Sequence, residues 1–252
     1  MLFECDVKRQ VLARVQLLSC CVQVCGCSPG QMARLAQLLE EQVDCDFVDI
    51  NMGCPIDLIY KKGMGSGLMS RRRPMENIVR SMSSILTRPL TVKMRTGVYS
   101  DRSIAHELFP LVEDWGAGAL TLHGRSREQR YTRLADWDYI NTCAKSVNIP
   151  VFGNGDVMNY EQYNQAVGSG AGVAGVMVAR GALIKPWIFT EIKEQRHWDI
   201  SAGERLDLVR DFCNYGLEHW GSDDKGVETT RRFLLEWLSF AHRYMVHTES
   251  DK

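Results

Sequence analysis

The sequence predicts an α/β fold of the (β/α)8 barrel type, with about six strands present, followed by a helical C-terminal region. Three observations lead there. First, short β-rich runs at 22–25, 47–51, 90–94, 119–123, 150–152 and 173–178 alternate with segments of helical spacing at 31–42, 74–86, 104–114, 137–146 and 160–168. Such alternation calls for βα units and a parallel sheet. Pro74 suits a helix start, and the run Gly116, Ala117, Gly118 suits a helix stop. Second, most strand runs end in a polar or glycine-bearing tail: NMGCP, KMRTG, HGR, GNGD and ARG. In a barrel those tails share one face, where active sites lie, whereas a doubly wound sheet binds at a single switch point. Third, after Trp187 the pattern changes to two long helical segments, 203–219 and 226–244, separated by GSDDKG. The expected organisation is an incomplete barrel over 1–190 and a helical domain over 191–252. Closure needs eight strands, and the expected shortfall is at the N-terminus.

Composition narrows the class. With 252 residues, 45% of them apolar, the chain can bury one substantial core. Thirty basic against thirty-one acidic residues leave overall charge uninformative about nucleic acid. The nine cysteines are odd in number and lack paired CxxC spacing, so reduced thiols in the cytosol or nucleus are expected. Cys20, Cys21, Cys25 and Cys27 resemble half a zinc site, but no second Cys/His cluster completes it, so no metal is expected. Arg14 and Gln16 interrupt the apolar stretch near the N-terminus, which argues against a signal peptide. No segment approaches the roughly 20 apolar residues of a membrane span, so no membrane partner is expected.

Cys54 lies just past a buried strand, on the face where a barrel does its chemistry. A structural thiol is the competing reading. Its company raises the chemical one: Lys93 ends one strand, His123 another, Asn154, Gly155 and Asp156 a third, and Ala179 with Arg180 the last. Lys93 points inward among apolar neighbours, where an unpaired ammonium is costly and an anionic cofactor would remove that cost. The turn at Arg180 and Gly181 offers backbone N–H groups for a phosphate, and a GNGD turn also explains itself structurally. Between Lys61 and Arg95 stand nine basic residues and one acid, Glu76, and Arg125, Arg127, Arg130 and Arg133 follow the His123 strand. Such clusters can track phosphates. Arg80 and Arg88 read as solvated helix positions, as do Arg231 and Arg232 unless they face RNA. Phe233, Trp237 and Phe240 read as a core stripe.

The ordered motifs DFVDINMGCPIDLIYKKGMGSGL, PLTVKMRTG, LTLHGRSREQRYT, FGNGD and GVMVARGALIKPWIF resemble the tRNA dihydrouridine synthases. EIKEQRHWDIS, NYGLEHWGSD and RRFLLEWLSF are similar to the eukaryotic type 3 branch, which acts on uridine 47 of tRNA. The resemblance runs from about Gln23 to Tyr244. It implies an FMN-dependent, NADPH-driven reduction of uridine to dihydrouridine. Cys54 matches the proton donor. Gln23, Lys93, His123, Asn154, Gly155, Asp156, Ala179 and Arg180 match FMN-binding positions, and Asn51 matches a residue near flavin and base. The chemistry agrees, because reducing the C5=C6 bond takes a hydride, which only a cofactor supplies, and a proton, which a thiol can give. The partner implied is tRNA, with Lys61, Lys62, Arg125, Arg127 and Arg130 expected on its phosphates. Tyr131 or Trp137 is expected to support the extruded base.

Two departures shape the expectation for this chain. The Pro-Met segment that opens the family's barrel and the zinc fingers of type 3 enzymes have no counterpart before Gln23, and MVHTESDK ends the chain inside the helical region. Weak or absent FMN binding is therefore expected, with a catalytically inactive fragment that keeps at most tRNA binding as the alternative function.

Overall fold

The computed structural model describes residues 21–168 and 170–250. Cys20 and the expected N-terminal shortfall lie outside them. The described residues form two compact units, one reaching to residue 156 and including 164–177, the other of 157–163 and the residues from 178 onward.

In the first unit six strands, β1 (Cys21–Val24), β2 (Phe47–Met52), β3 (Leu90–Arg95), β4 (Ala119–His123), β5 (Val151–Asn154) and β6 (Gly175–Met177), form one sheet. All pairings are parallel, and the spatial order equals the chain order. Among the described residues the strand order does not reverse, so they contain no switch point, which is the barrel-type winding rather than the doubly wound one. The strand runs read from the sequence agree with these to within a residue or two.

Helices α1 (Pro29–Gln42), α3 (Arg72–Ile85), α4 (Ala105–Asp114) and α5 (Trp137–Ala144) pack on one face of the sheet, while α2 (Asp57–Lys61) is a short helix after β2 and α6 (Tyr160–Val167) precedes β6. Each long helix carries its apolar residues at helical spacing: Met32, Ala36 and Leu39 in α1, Met75, Ile78, Val79 and Met82 in α3, and Ala105, Leu108, Phe109 and Val112 in α4. They meet Val48, Ile50 and Met52 of β2, Leu90, Val92 and Met94 of β3, and Leu120 and Leu122 of β4 in one buried core. Each such side chain contributes about 1.5–3 kcal/mol by leaving water. Pro29 starts α1 with its φ already helical. Pro74, expected to open its helix, lies two residues inside α3.

Gly153 faces this core. A Cβ there would stand 2.2 Å from the Trp137 ring. Gly153→Ala is expected to cost about 1–3 kcal/mol, visible as a lowered thermal midpoint, and an unchanged midpoint would show that the ring can move aside. The same contact corrects one expectation: Trp137 packs on the helix side of the sheet and donates Nε1–H to the Gly155 carbonyl at 3.0 Å, so it is not available to a base.

The second unit holds α7 (Arg180–Ile184), α8 (Ile188–Glu194), α9 (Ala202–Trp220) and α10 (Asp224–Ser250). It begins before the expected 190/191 boundary because α7 packs on α10, with Trp237 Nε1 donating to the Leu183 carbonyl at 3.0 Å. A buried Lys185–Glu191 ion pair at 2.5 Å lies at the start of α8. Ser201 and Glu204 form a reciprocal capping box that starts α9, and Gly221, at φ +94°, ends it. A Cβ on Gly216 would meet the Thr230 side chain at 2.6 Å, so the two helices approach closely there. Trp220 stacks on Phe233 at 4.9 Å and Phe212 on Trp237 at 5.2 Å. The stripe read as core is thus covered on one side by α9, while Phe233 remains 37% exposed. Arg231 pairs with Glu228 on the surface of α10, as a solvated face would. Among the described residues no helix is long and apolar enough to cross a membrane.

Candidate active site

Strand alternation sends every second residue to the face opposite the core. That face is polar. Across it the register aligns Gln23 with Asp49 and Thr91, then Asn51 with Lys93 and Thr121, then Arg95 with His123 and Asn154. The rows run on into Ala119, into Phe152 and Gly175, and into Met177, so the polar set is concentrated on β1 to β4 together with Asn154. So dense a polar set has to satisfy itself or meet a ligand.

Much of it is self-satisfied. Gln23 Nε2 donates to Asp49 Oδ2 at 2.7 Å, Thr91 Oγ1 donates to Asp49 Oδ1 at 2.6 Å, and Asn51 Nδ2 donates to Gln23 Oε1 at 3.1 Å. Burial raises the Asp49 carboxyl above its usual range, against the lowering effect of Thr91, Gln23 and Lys93.

Asn51 also sets the position of Cys54. Its Oδ1 accepts from the backbone N–H of Gly53 at 3.1 Å and of Cys54 at 2.9 Å, curling the chain just past β2. The Cys54 carbonyl accepts from Ser66 N at 3.1 Å and Ser66 Oγ at 2.8 Å. Arg95, 4% exposed, donates Nε–H to the Gly53 carbonyl at 2.8 Å and Nη1–H to the Ser126 carbonyl at 2.9 Å. Gly65, at φ +55°, leaves room for this turn, because a Cβ there would sit 2.9 Å from that of Cys54. Cys54 is therefore held through its backbone from several sides while its side chain remains part-accessible.

Lys93 is the least satisfied member. Its Nζ donates to Asn154 Oδ1 at 3.4 Å, while Asn154 Nδ2 donates to the Met177 carbonyl at 2.7 Å. Burial lowers the Lys93 ammonium to about 8, Arg95 pushes in the same direction, and Asp49 opposes both. A buried ammonium that lacks a close counter-anion fits an anionic group bound on this face.

Beyond β4 and β5 the structure redistributes the residues read from the sequence. Arg125 is buried, and its Nη2 bonds both Asp156 carboxylate oxygens, at 2.7 and 2.6 Å, with Nη1 3.3 Å from His123 Nε2. This corrects its expected place on tRNA phosphates, because a guanidinium that is itself buried and committed to a half-buried carboxylate is not a surface clamp. Asp156, at φ +56°, also accepts from Ala135 N at 2.7 Å, and Gly155, at φ +135°, passes so close to Ala135 that a Cβ would be 2.4 Å away. The GNGD turn thus has full structural grounds of its own. Tyr131 stays exposed, with Arg125 5.8 Å from its ring centre. Lys61 and Lys62 are exposed at the end of α2. Ala179 and Arg180 belong to the second unit, where Ala179 caps α7 and Arg180 begins it, so the expected glycine turn is a helix start. Arg80, on the exposed side of α3, pairs with Glu76 and Asp114 as a solvated helix position would, whereas Arg88 lies past the end of that helix, 19% exposed and bonded to Glu40 and two backbone carbonyls, so it is not the solvated helix position expected.

Asp49, Thr91 and Arg95 were missed. The signal was present, since they alternate with Asn51 and Lys93 in DFVDINM and LTVKMR and so had to share their face.

The family model described as Dihydrouridine synthase (Dus) matches residues 7–244. The chain is 62% identical over 225 residues to a protein of Xenopus laevis named "tRNA-dihydrouridine(47) synthase [NAD(P)(+)]-like", covering 89% of this chain and 35% of that protein. Proteins of the same name from Homo sapiens and Arabidopsis thaliana are 60% and 52% identical, again across 89% of this chain, and 34% and 33% of theirs. The chain thus spans about a third of the length of the curated relatives it matches. Among solved structures, 6-hydroxypseudooxynicotine amine oxidase from Pseudomonas geniculata N1 shares the fold at a TM-score of 0.51 and 11% identity, over 66% of this chain and 29% of that one. Histamine dehydrogenase from Rhizobium sp. 4-9 does so at 0.50 and 13%, over 67% and 28%.

Proposed function

Because the chain belongs to the dihydrouridine synthase family, we propose that it carries the catalytic face of an enzyme that reduces uridine in tRNA, at position 47, with FMN as cofactor and NADPH as reductant. The observation that carries the proposal is the pairing of Cys54, fixed at the mouth of β2, with the unneutralised Lys93 ammonium on the same polar face.

Gln23, Asn51, Lys93, His123 and Asn154 are the residues of the first unit that would hold the flavin, with Gly155 and Asp156 shaping the turn beside it. FMN held there and reduced by NADPH would supply the hydride that C6 of the uracil needs. Cys54 supplies the proton to C5 and is left as a thiolate, which water reprotonates. Lys93 stabilises negative charge on the cofactor and is itself returned toward its ordinary ammonium character by that anion. Arg95 and Asn51 act on Cys54 through its backbone, keeping the thiol in one place as substrate arrives. Lys61, Lys62, Arg127 and Arg130 line the rim as the contacts for tRNA phosphates.

A second reading, a fragment that binds tRNA without catalysis, is favoured by one observation: among the described residues β1 and β6 pair on one side only. Absorbance of the purified 252-residue chain, with FMN added and excess removed, between about 350 and 500 nm, where oxidised flavin absorbs, separates the two. A stoichiometric flavin spectrum, with dihydrouridine formed on tRNA after NADPH is added, supports the enzyme. A colourless chain that still shifts tRNA supports the fragment.

A further inference from the structure

Asp57 opens α2, three residues beyond Cys54, and its carboxylate holds two arginines from the loop after β4. Arg127 Nη2 donates to Asp57 Oδ1 at 2.6 Å and Arg130 Nη2 donates to the same oxygen at 3.3 Å. The Asp57 and Arg130 side chains are 60% and 54% exposed, Arg127 only 17%. Arg127 does not depend on Asp57 for its place. Its guanidinium lies 3.8 Å from the centre of the Tyr60 ring, and its backbone N–H donates to the Gly97 carbonyl at 3.0 Å. Arg127 Nε is buried without a hydrogen-bond partner, so it is the Nη2 edge of this fork that faces Asp57. Arg130 sits at φ +45°, a left-handed conformation that a non-glycine residue adopts against its preference.

Magnitudes decide what this pair is for. An ion pair this exposed is worth at most about 1 kcal/mol, too little to serve as a structural tie. Meanwhile the bonds that fix Cys54, from Asn51, Ser66 and Arg95, do not pass through Asp57. A phosphodiester presents the same charge and acceptor geometry as a carboxylate, and arginine forks bind both.

We propose that Asp57 is a placeholder anion: it occupies the seat that a tRNA backbone phosphate takes on Arg127 and Arg130, and it sets the threshold a polyanion must exceed to bind there. This rests on the tRNA reading above. Asp57 keeps the two arginines apart in charge from casual anions, and an RNA that delivers a phosphate at that spot displaces it at little cost. The carboxylate then faces solvent at the start of α2, where a negative charge is favourable.

The test is binding of an unmodified tRNA transcript to the 252-residue chain, by fluorescence anisotropy across a salt series. Asp57→Asn is expected to bind about threefold to tenfold tighter near 0.1 M salt, with a salt dependence steeper by about one to two released counterions. Adding Arg127→Met and Arg130→Met to Asp57→Asn is expected to erase the gain. Equal or weaker binding by Asp57→Asn overturns the proposal and leaves the tRNA reading standing, since Asp57 would then orient the arginines rather than compete for them. If neither chain binds, the tRNA reading falls and the proposal falls with it. The rate at which iodoacetamide alkylates Cys54, read by peptide mass, is expected to be unchanged in Asp57→Asn. A changed rate would make Asp57 a prop for the Cys54 segment and overturn its role as a placeholder.

Discussion

Cys54→Ala is expected to lower the rate of uridine reduction about 10²- to 10⁴-fold, the range for loss of a positioned general acid, while flavin is retained in full. Retention is expected because alanine keeps the Cβ that packs against Gly65 and leaves the backbone bonds to Asn51 and Ser66 in place. Only the Sγ and its proton are lost. Cys54→Ser should not rescue, since a hydroxyl is a far weaker acid than a thiol. Dihydrouridine formed per flavin in a single turnover measures the loss. An alanine variant within threefold of the parent would remove Cys54 from the proton transfer.

Lys93→Met carries the other large effect, and its two halves have opposite signs. Flavin binding should fall sharply, because the ammonium that meets the anionic cofactor is gone. The flavin-free chain should become more stable at neutral pH. Burial lowers Lys93 from its ordinary 10.5 to about 8 in the fold, so between those values the unfolded chain holds more protons. Stability of the parent therefore rises as pH climbs through that window, and at neutral pH the full cost of a desolvated ammonium is present. That cost is on the order of 3 kcal/mol before solvent screening reduces it. Asp49 acts in the opposite sense in the acid range, where its raised carboxyl makes stability fall as pH rises through its titration. Urea midpoints of the flavin-free proteins at pH 7 and pH 10 are the measurement. The parent should gain between the two and Lys93→Met should not. A variant less stable than the parent at pH 7 would mean that Lys93 is already neutralised within the fold.

What the sequence made legible follows from chain physics. The strands were readable because β2 and β3 alternate so strictly that the polar positions stand out. The long helices were readable because α1, α3 and α4 keep their apolar residues at helical spacing. Helices of five residues, such as α2 and α7, are too short to display a period. The Arg125–Asp156 pair escaped because nothing local distinguishes a guanidinium that turns inward to a partner 31 positions away from one that faces solvent. Trp137 was misplaced for a related reason: only the missing side chain of Gly153, on another element, makes room for it.

The alternation that separates the two faces also binds them together. In β2 and β3 the residues that fill the core and those that line the polar face occupy adjacent positions of the same strand. One residue inserted or deleted within either strand would exchange the faces, turning Asp49, Lys93 or Arg95 toward the helices and Val48, Ile50 or Val92 toward the ligand. A reading-frame slip of that kind loses folding and chemistry in one event. Length changes can therefore accumulate only in the crossover segments, and the strand lengths are as much a part of the active site as its side chains are.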